Sequence, residues 1–197
     1  MKKVLLSAVA LLAFGFANAQ EEEKSANGGF SKGDVFVTGA VTFGSEKTGD
    51  FKTNSFELAP QVGYFLTENI AIGGKIGFAS YKEEFSGSDI EDMAGFQVGA
   101  FGRYYFTPAN QFSLFGQLGL DYASMEDKLA DSKFNVIDAG LGLGMNYFVS
   151  SNFSIEAGVA VLGYSTNDNG GDGADATNTF SFGGDWRAVT FGVNYKF

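Results

Sequence analysis

From Asp34 onward, apolar side chains return at every second position, the period of a β-strand with one apolar face. Val35, Val37, Val41 and Phe43 share one face of the first predicted strand. Phe56, Leu58, Val62, Tyr64 and Leu66 share one in the second, with Glu57, Gln61 and Gly63 opposite. The third sets Ile70, Ile72, Ile76 and Phe78 against Ala71, Gly73, Lys75 and Gly77. Phe96, Val98, Ala100, Tyr104 and Phe106 oppose Gln97, Gly99, Phe101 and Arg103 in the fourth. The fifth has Phe112, Leu114, Leu118, Leu120 and Tyr122 against Gln117, Gly119 and Asp121. In the sixth, Ile137, Leu141, Leu143, Met145 and Tyr147 oppose Asp138, Gly140, Gly142, Gly144 and Asn146. The seventh places Phe153, Ile155, Val159 and Val161 against Ser154, Glu156 and Gly158. The eighth places Val189, Phe191, Val193, Tyr195 and Phe197 against Thr190, Gly192, Asn194 and Lys196.

The connections alternate in length. Thr67–Asn69, Thr107–Gln111 and Ser150–Asn152 are short; Ser45–Thr53, Lys82–Asp92, Met125–Lys133 and Thr166–Asn178 are long. A repeat marks the short turns: Tyr64-Phe65-Leu66-Thr67-Glu68-Asn69, Tyr105-Phe106-Thr107-Pro108-Ala109-Asn110 and Tyr147-Phe148-Val149-Ser150-Ser151-Asn152. In the middle copy Tyr104 takes the outward place and the turn is longer.

The apolar faces are aromatic and aliphatic, whereas the opposite faces carry glycine, small residues and six charges: Glu57, Lys75, Arg103, Asp121, Asp138 and Glu156. A soluble barrel would have to bury those charges, and unpaired buried charge is costly. Turned inside out the pattern works, with apolar side chains on lipid and polar ones in a narrow lumen. Closure then leaves no strand edge in hydrocarbon, where each unmade backbone hydrogen bond costs several kcal/mol. Tyr64, Tyr104, Phe106, Phe112, Tyr147, Phe153, Tyr195 and Phe197 gather near the short turns on the apolar face, as a girdle at one membrane interface would. The prediction is an all-β, eight-stranded antiparallel up-and-down transmembrane β-barrel over 34–197, its short turns periplasmic and its long loops extracellular.

The N-terminus refines this. Lys2 and Lys3 precede an apolar run from Val4 to Phe16, and Ala17-Asn18-Ala19 supplies a small-x-small cleavage pattern. A signal peptide over 1–19, cleaved after Ala19, is therefore expected, followed by a flexible periplasmic lead over 20–33. Without Lys2 and Lys3, 11 basic residues face 23 acidic ones, a net charge of −12. That argues against nucleic acid, whose binding draws on clustered Lys and Arg. The absence of Cys removes disulfides, thiol chemistry and lipid attachment through cysteine.

On these strands the chain resembles the small outer-membrane β-barrels typified by OmpX and the membrane domain of OmpA, also labelled porin-family proteins. Its terminal Thr190-x-Gly192-x-x-Tyr195-x-Phe197 is similar to the signal by which the outer-membrane assembly machinery recognises such barrels. The resemblance covers Asp34 to Phe197, and no wall-binding domain is expected after the barrel. It implies a monomeric protein of the bacterial cell outer membrane, in contact with lipid and lipopolysaccharide.

Enzymes among such barrels generally rely on histidine, and this chain has none, so no enzymatic activity, cofactor or metal site is expected. Asp138 with Glu156 offers a carboxylate pair for acid–base work. A luminal salt-bridge network with Lys75 and Arg103 is the preferred reading. The run Gly140-Leu141-Gly142-Leu143-Gly144 precedes no helix and so makes no phosphate loop. Asp168 to Asp175 has some character of a calcium loop but lacks the closing Glu, so a solvated loop is expected. Two functions remain: a structural and surface-interaction role through acidic extracellular loops, and a narrow passive pore for ions or small solutes. Eight strands enclose an interior just wide enough for side chains, which favours the first.

Overall fold

The computed structural model describes residues 28–39, 41–170, 173–184 and 189–197; the expected signal peptide and residues 20–27 lie outside the described residues. Eleven strand segments follow one another: β1 (Val35–Gly39), β2 (Val41–Thr48), β3 (Phe51–Leu58), β4 (Gln61–Phe65), β5 (Ile70–Phe85), β6 (Ser88–Tyr105), β7 (Phe112–Asp127), β8 (Ser132–Phe148), β9 (Phe153–Asn167), β10 (Thr177–Phe182) and β11 (Thr190–Lys196). They form one antiparallel sheet in the order β2-β3-β5-β4-β1-β11-β9-β8-β7-β6, and a β5–β6 pairing closes the ring. β3 and β4 both lie along β5, and β10 and β11 both lie along β9. β1 and β2 continue one another along β4 and β3. Eleven segments thus make eight passes around the wall.

The alternation read from the sequence sorts side chains by face. Ile76 is 63% exposed and Leu118 60%, whereas Ala71 and Phe65, on the inward face, are fully covered. Leucine and isoleucine at that exposure have lost the area term that would favour folding in water. In lipid the same surface is matched to its solvent.

The repeat at the short turns has a physical job. Thr67 Oγ1 accepts the Ile70 N–H at 2.9 Å, and Ser150 Oγ accepts the Phe153 N–H at 3.0 Å. Such hydroxyls mimic a backbone turn and stop the strand. The amide at the turn's end then ties it to the next pass: Asn69 to the Tyr105 carbonyl, Gln111 to Phe148 and Asn152 to Lys196, at 2.8, 3.0 and 2.8 Å.

Four features depart from the sequence reading. The long connections are mostly strand: β5 and β6 run on to a turn at Ser86-Gly87, and β7 and β8 to Lys128–Asp131. Strands of 16–18 residues exceed the roughly 10 that a tilted strand needs to cross a bilayer. The excess stands beyond the membrane as hairpins. β10 is a segment the sequence reading missed, because its alternation rests on Phe180 and Phe182 alone. In β9 the register slips opposite Leu141/Gly142, which pair with Leu162 and Ala160 and leave Val161 as a bulge. Val161 therefore does not continue the outward row of Val159; beyond it Leu162 and Tyr164 face out and Gly163 and Ser165 face in.

The fourth departure is the lead, of which 28–33 is docked rather than free. Phe30 N–H donates to the Pro108 carbonyl at 2.7 Å, Gly33 N–H to Phe65 at 3.0 Å, and Lys196 Nζ to the Gly29 carbonyl at 2.6 Å. A Cβ on Gly28 would collide with the Ser150 carbonyl and the Phe148 ring, and one on Gly29 with the Ala109 backbone. Only glycine lets the chain pass this close beneath the barrel.

Candidate functional site: the lumen and its floor

Inward-facing residues at the short-turn end pack together across the lumen. Phe30 enters from below and meets Phe65 at 4.7 Å between ring centroids, Phe148 at 4.8 Å, and Phe36 and Tyr105 each at 5.4 Å. All five rings are essentially without exposure. Three of them, Phe65, Tyr105 and Phe148, come from the three copies of the turn repeat. Each copy sends one ring inward and its neighbour outward, and the one-residue shift of the middle copy is why Tyr105 rather than Phe106 faces in.

Above this aromatic layer lies Arg103, carried inward by β6 and only 3% exposed. Its Nη1 and Nη2 meet Glu156 at 2.8 and 3.2 Å, the two-pronged geometry that suits a guanidinium to a carboxylate. Nε donates to Gln117 at 2.6 Å, Nη1 also to the Tyr105 hydroxyl at 3.2 Å, and Nη2 to Gln61 at 3.4 Å. All five guanidinium N–H donors are used. The cation also sits 4.5 Å from the Phe115 ring centre and 5.0 Å from that of Phe101.

Glu156 in turn accepts from Asn194 Nδ2 at 3.0 Å; Asn194 also donates to Asn146 at 2.9 Å and bonds Thr38, and Ser154 donates to Asn146 at 2.8 Å. Gly192 stands opposite Glu156, where a Cβ would come 3.3 Å from the Glu156 Cγ and 3.0 Å from Thr38 Cγ2. Gly99 likewise makes way for the Asp121 carboxylate.

Of the six charges expected in the luminal polar network, Lys75 and Arg103 each lie against one of the carboxylates, in two separate ion pairs. Arg103 pairs with Glu156, and Lys75 with Asp121 at 2.8 Å. Asp138 stands directly opposite Asp121 and lines the cavity above the floor, but ion-pairs with nothing among the described residues. Glu57 is exposed farther up the inner face and is also without an ion pair among them. The sequence reading assigned none of Phe30, Phe36, Phe65, Tyr105 and Phe148 to the inner face, and so missed the aromatic floor. It placed Gln61, Gln117, Asn146, Ser154 and Asn194 on the polar face without assigning them a part in the network. The parity of the strands was the signal available for these five.

The cavity itself measures about 430 Å³ and is lined mainly by β7, β8, β9 and the last pass, with Gln61 of β4 and Arg103 of β6; its charged positions are Arg103, Asp121, Asp138 and Glu156. Among the described residues no group of three His, Cys, Asp or Glu is placed to hold a metal ion. In the Asp168–Asp175 loop, Asp168 spends its carboxylate on the Asn135 N–H at 2.8 Å, the Asn135 amide at 2.7 Å and the Gly170 N–H at 3.1 Å.

Outside, Tyr64, Tyr104, Phe106, Phe112 and Tyr147 project from the wall at the short-turn end. Phe153 and Tyr195 stack edge-on at 4.9 Å, and Tyr195 and Phe197 at 4.8 Å. Of the C-terminal motif, Thr190 and Gly192 face the lumen, Tyr195 and Phe197 face out, and Phe197 N–H closes onto the Val35 carbonyl at 2.9 Å.

An apolar outer belt, a polar interior and a closed antiparallel wall define a transmembrane β-barrel. The family model of the outer membrane protein beta-barrel domain matches residues 6–197, and the chain belongs to that family, whose place is the bacterial outer membrane. The N-terminal β-barrel domain of Pseudomonas aeruginosa OprF is similar, with 17% identity and a TM-score of 0.51 over 85% of this chain and 100% of that one. OprG from Pseudomonas aeruginosa is 16% identical, with a TM-score of 0.48 over 86% of this chain and 98% of that one. No curated protein matches the sequence significantly.

Proposed function

We infer that this protein is a structural and surface-interaction protein of the outer membrane, acting through its acidic extracellular hairpins rather than by passing solutes. The observation that carries the reading is the floor. Five tightly packed rings and the Arg103–Glu156 layer fill the short-turn end, where a pore would have to continue. Export by a leader cleaved after Ala19, passage through the assembly machinery, contact with lipopolysaccharide and a monomeric state belong to the same reading. So does the absence of an enzymatic role, in keeping with a chain that has no histidine. Single-channel recording of the purified chain in a planar bilayer tests it. The expected trace is flat or shows only rare, small openings; stable conductances of general-porin size would overturn the reading in favour of a passive pore.

A further inference from the structure

The hairpins that stand beyond the membrane sort their charges by face. Directly opposed residues of an antiparallel pair share a face, so the register assigns each one. Lys47, Lys52, Lys82 and Lys133 all point outward, in rows shared with Glu84, Asp92 and Glu126. Lys52 meets Glu84 at 3.6 Å, Lys82 meets Asp89 at 2.8 Å, and Lys128 reaches the outer-face Asp92 at 2.7 Å. The inner face carries Glu46, Glu57, Glu83, Glu91, Asp127 and, at the cavity mouth, Asp138; among the described residues no lysine or arginine stands beside the first five, and Lys75, in the row of Asp138, is already paired with Asp121. Glu83 even stands directly opposite Glu91, an arrangement that costs stability in a sheet. Interleaved on the same face are Phe51 and Phe85, 4.6 Å apart, and Tyr81, Met93, Met125 and Phe134.

Among the described residues this inner sheet face has no ion-pair partner above the Lys75–Asp121 row, and its charge there is in negative excess. We propose that it is the docking surface for a slender linear polycation, ammonium groups separated by methylene runs, which enters from outside and reaches towards Asp138. The proposal rests on the reading of the lumen as blind. Three properties select this occupant. The complement of a face in negative excess is a cation. An eight-stranded interior admits side chains or one thin ligand, not a folded segment. The carboxylates recur along the axis with apolar side chains between them: Glu57 and Glu83 are four strand positions apart, about 13 Å at ~3.3 Å per residue. Methylene runs of an extended polyamine would lie against Met93, Met125 and Phe134 while its ammonium groups meet the carboxylates.

The test titrates spermine into the full chain in lipid nanodiscs by calorimetry, with magnesium chloride at matched ionic strength as comparison. Glu83→Gln with Glu91→Gln removes two inner-face charges; Glu84→Gln with Asp89→Asn removes two from the outer face. Heat-modifiable migration verifies that each variant is folded. The expected result is saturable one-to-one binding, weakened at least ten-fold by the inner-face pair and less than two-fold by the outer-face pair. Spermine binding no better than magnesium, or equal weakening by both pairs, would overturn the proposal. Conductance of the same preparation separates the two readings. A flat trace without spermine binding defeats this inference alone, and a steady general-porin conductance defeats the blind lumen on which it stands.

Discussion

Among the described residues Arg103 is the most deeply buried charge in the lumen, and its full set of donors decides what happens when a partner is removed. Stripping one member from a buried ion pair leaves an uncompensated charge and costs about 3–5 kcal/mol. Glu156→Ala should therefore lower the unfolding free energy in lipid vesicles by about that amount, read from a urea titration. Asp121→Asn should cost clearly less, because the Lys75–Asp121 pair is about one-fifth exposed to the lumen. Replacing Arg103 and Glu156 together by methionine should recover most of the loss; equal losses for the two single variants would defeat this ranking. Asp168 makes a different prediction. Hydrogen bonds from the Asn135 N–H, the Asn135 amide and the Gly170 N–H hold its carboxyl below the ordinary value of 3.8. A lowered value means that the bonds favour the folded loop above pH 3.8 and are lost as pH falls through the depressed value. Protection of the Asn135 and Gly170 amides from hydrogen exchange should be flat from neutrality to about pH 4 and collapse only below it. In Asp168→Asn, protection should be weaker and insensitive to pH.

At the scale of elements, the floor is assembled from parts that no single strand announces. Phe30 contributes the central ring, and truncating a buried phenylalanine costs about 3–5 kcal/mol. Phe30→Ala should approach that loss in the same titration. Gly29→Ala should reproduce much of it, since its Cβ meets the Ala109 backbone and must lift the segment away. If both variants unfold like the parent, the lead merely rests on the barrel. The eight passes were legible in the sequence because lipid imposes one rule on every strand, an apolar residue at each second position. The same rule hid the floor. Phe65, Phe101, Phe115 and Phe148 are apolar residues on the polar face, so parity reads them as exceptions rather than as one layer contributed by separate strands. Phe30 precedes the first strand in a run of glycine and polar residues that resembles linker. The bulge at Val161 leaves no mark in the alternation until the residues beyond it are paired with β8 and β10. Of the luminal charges, parity placed all six on the inner face. Which of them pair depends on axial height, and that is set by strand stagger rather than by sequence spacing.

For the whole molecule, closure depends on the two ends of the described chain meeting. β1 pairs with β11 from Phe36↔Lys196 to Gly39↔Val193, and Phe197 N–H adds a last bond to Val35. Tyr195 and Phe197 then anchor the seam at the interface where aromatic rings settle well. The hairpins at the other end contribute nothing to closure at membrane depth, and exposed connections of this kind tolerate change. An epitope placed at Asn169 should therefore be reached by antibody on intact cells, whereas one at Glu68 should be reached only after the outer membrane is opened. Removing Phe197 takes away one seam hydrogen bond, one ring set edge-on against Tyr195 and the last residue of the C-terminal motif. Its expected effect is less folded barrel in the outer membrane and more precursor-sized or degraded chain in the periplasm. Truncating Asp168 to Asp175 removes only contacts outside the bilayer, and should leave insertion at the parental level. Migration on a gel with and without boiling reads both outcomes, because a closed barrel resists detergent until heated. Loss of the folded band in the loop truncation, with its retention after Phe197 is removed, would reverse this division between the seam and the hairpins.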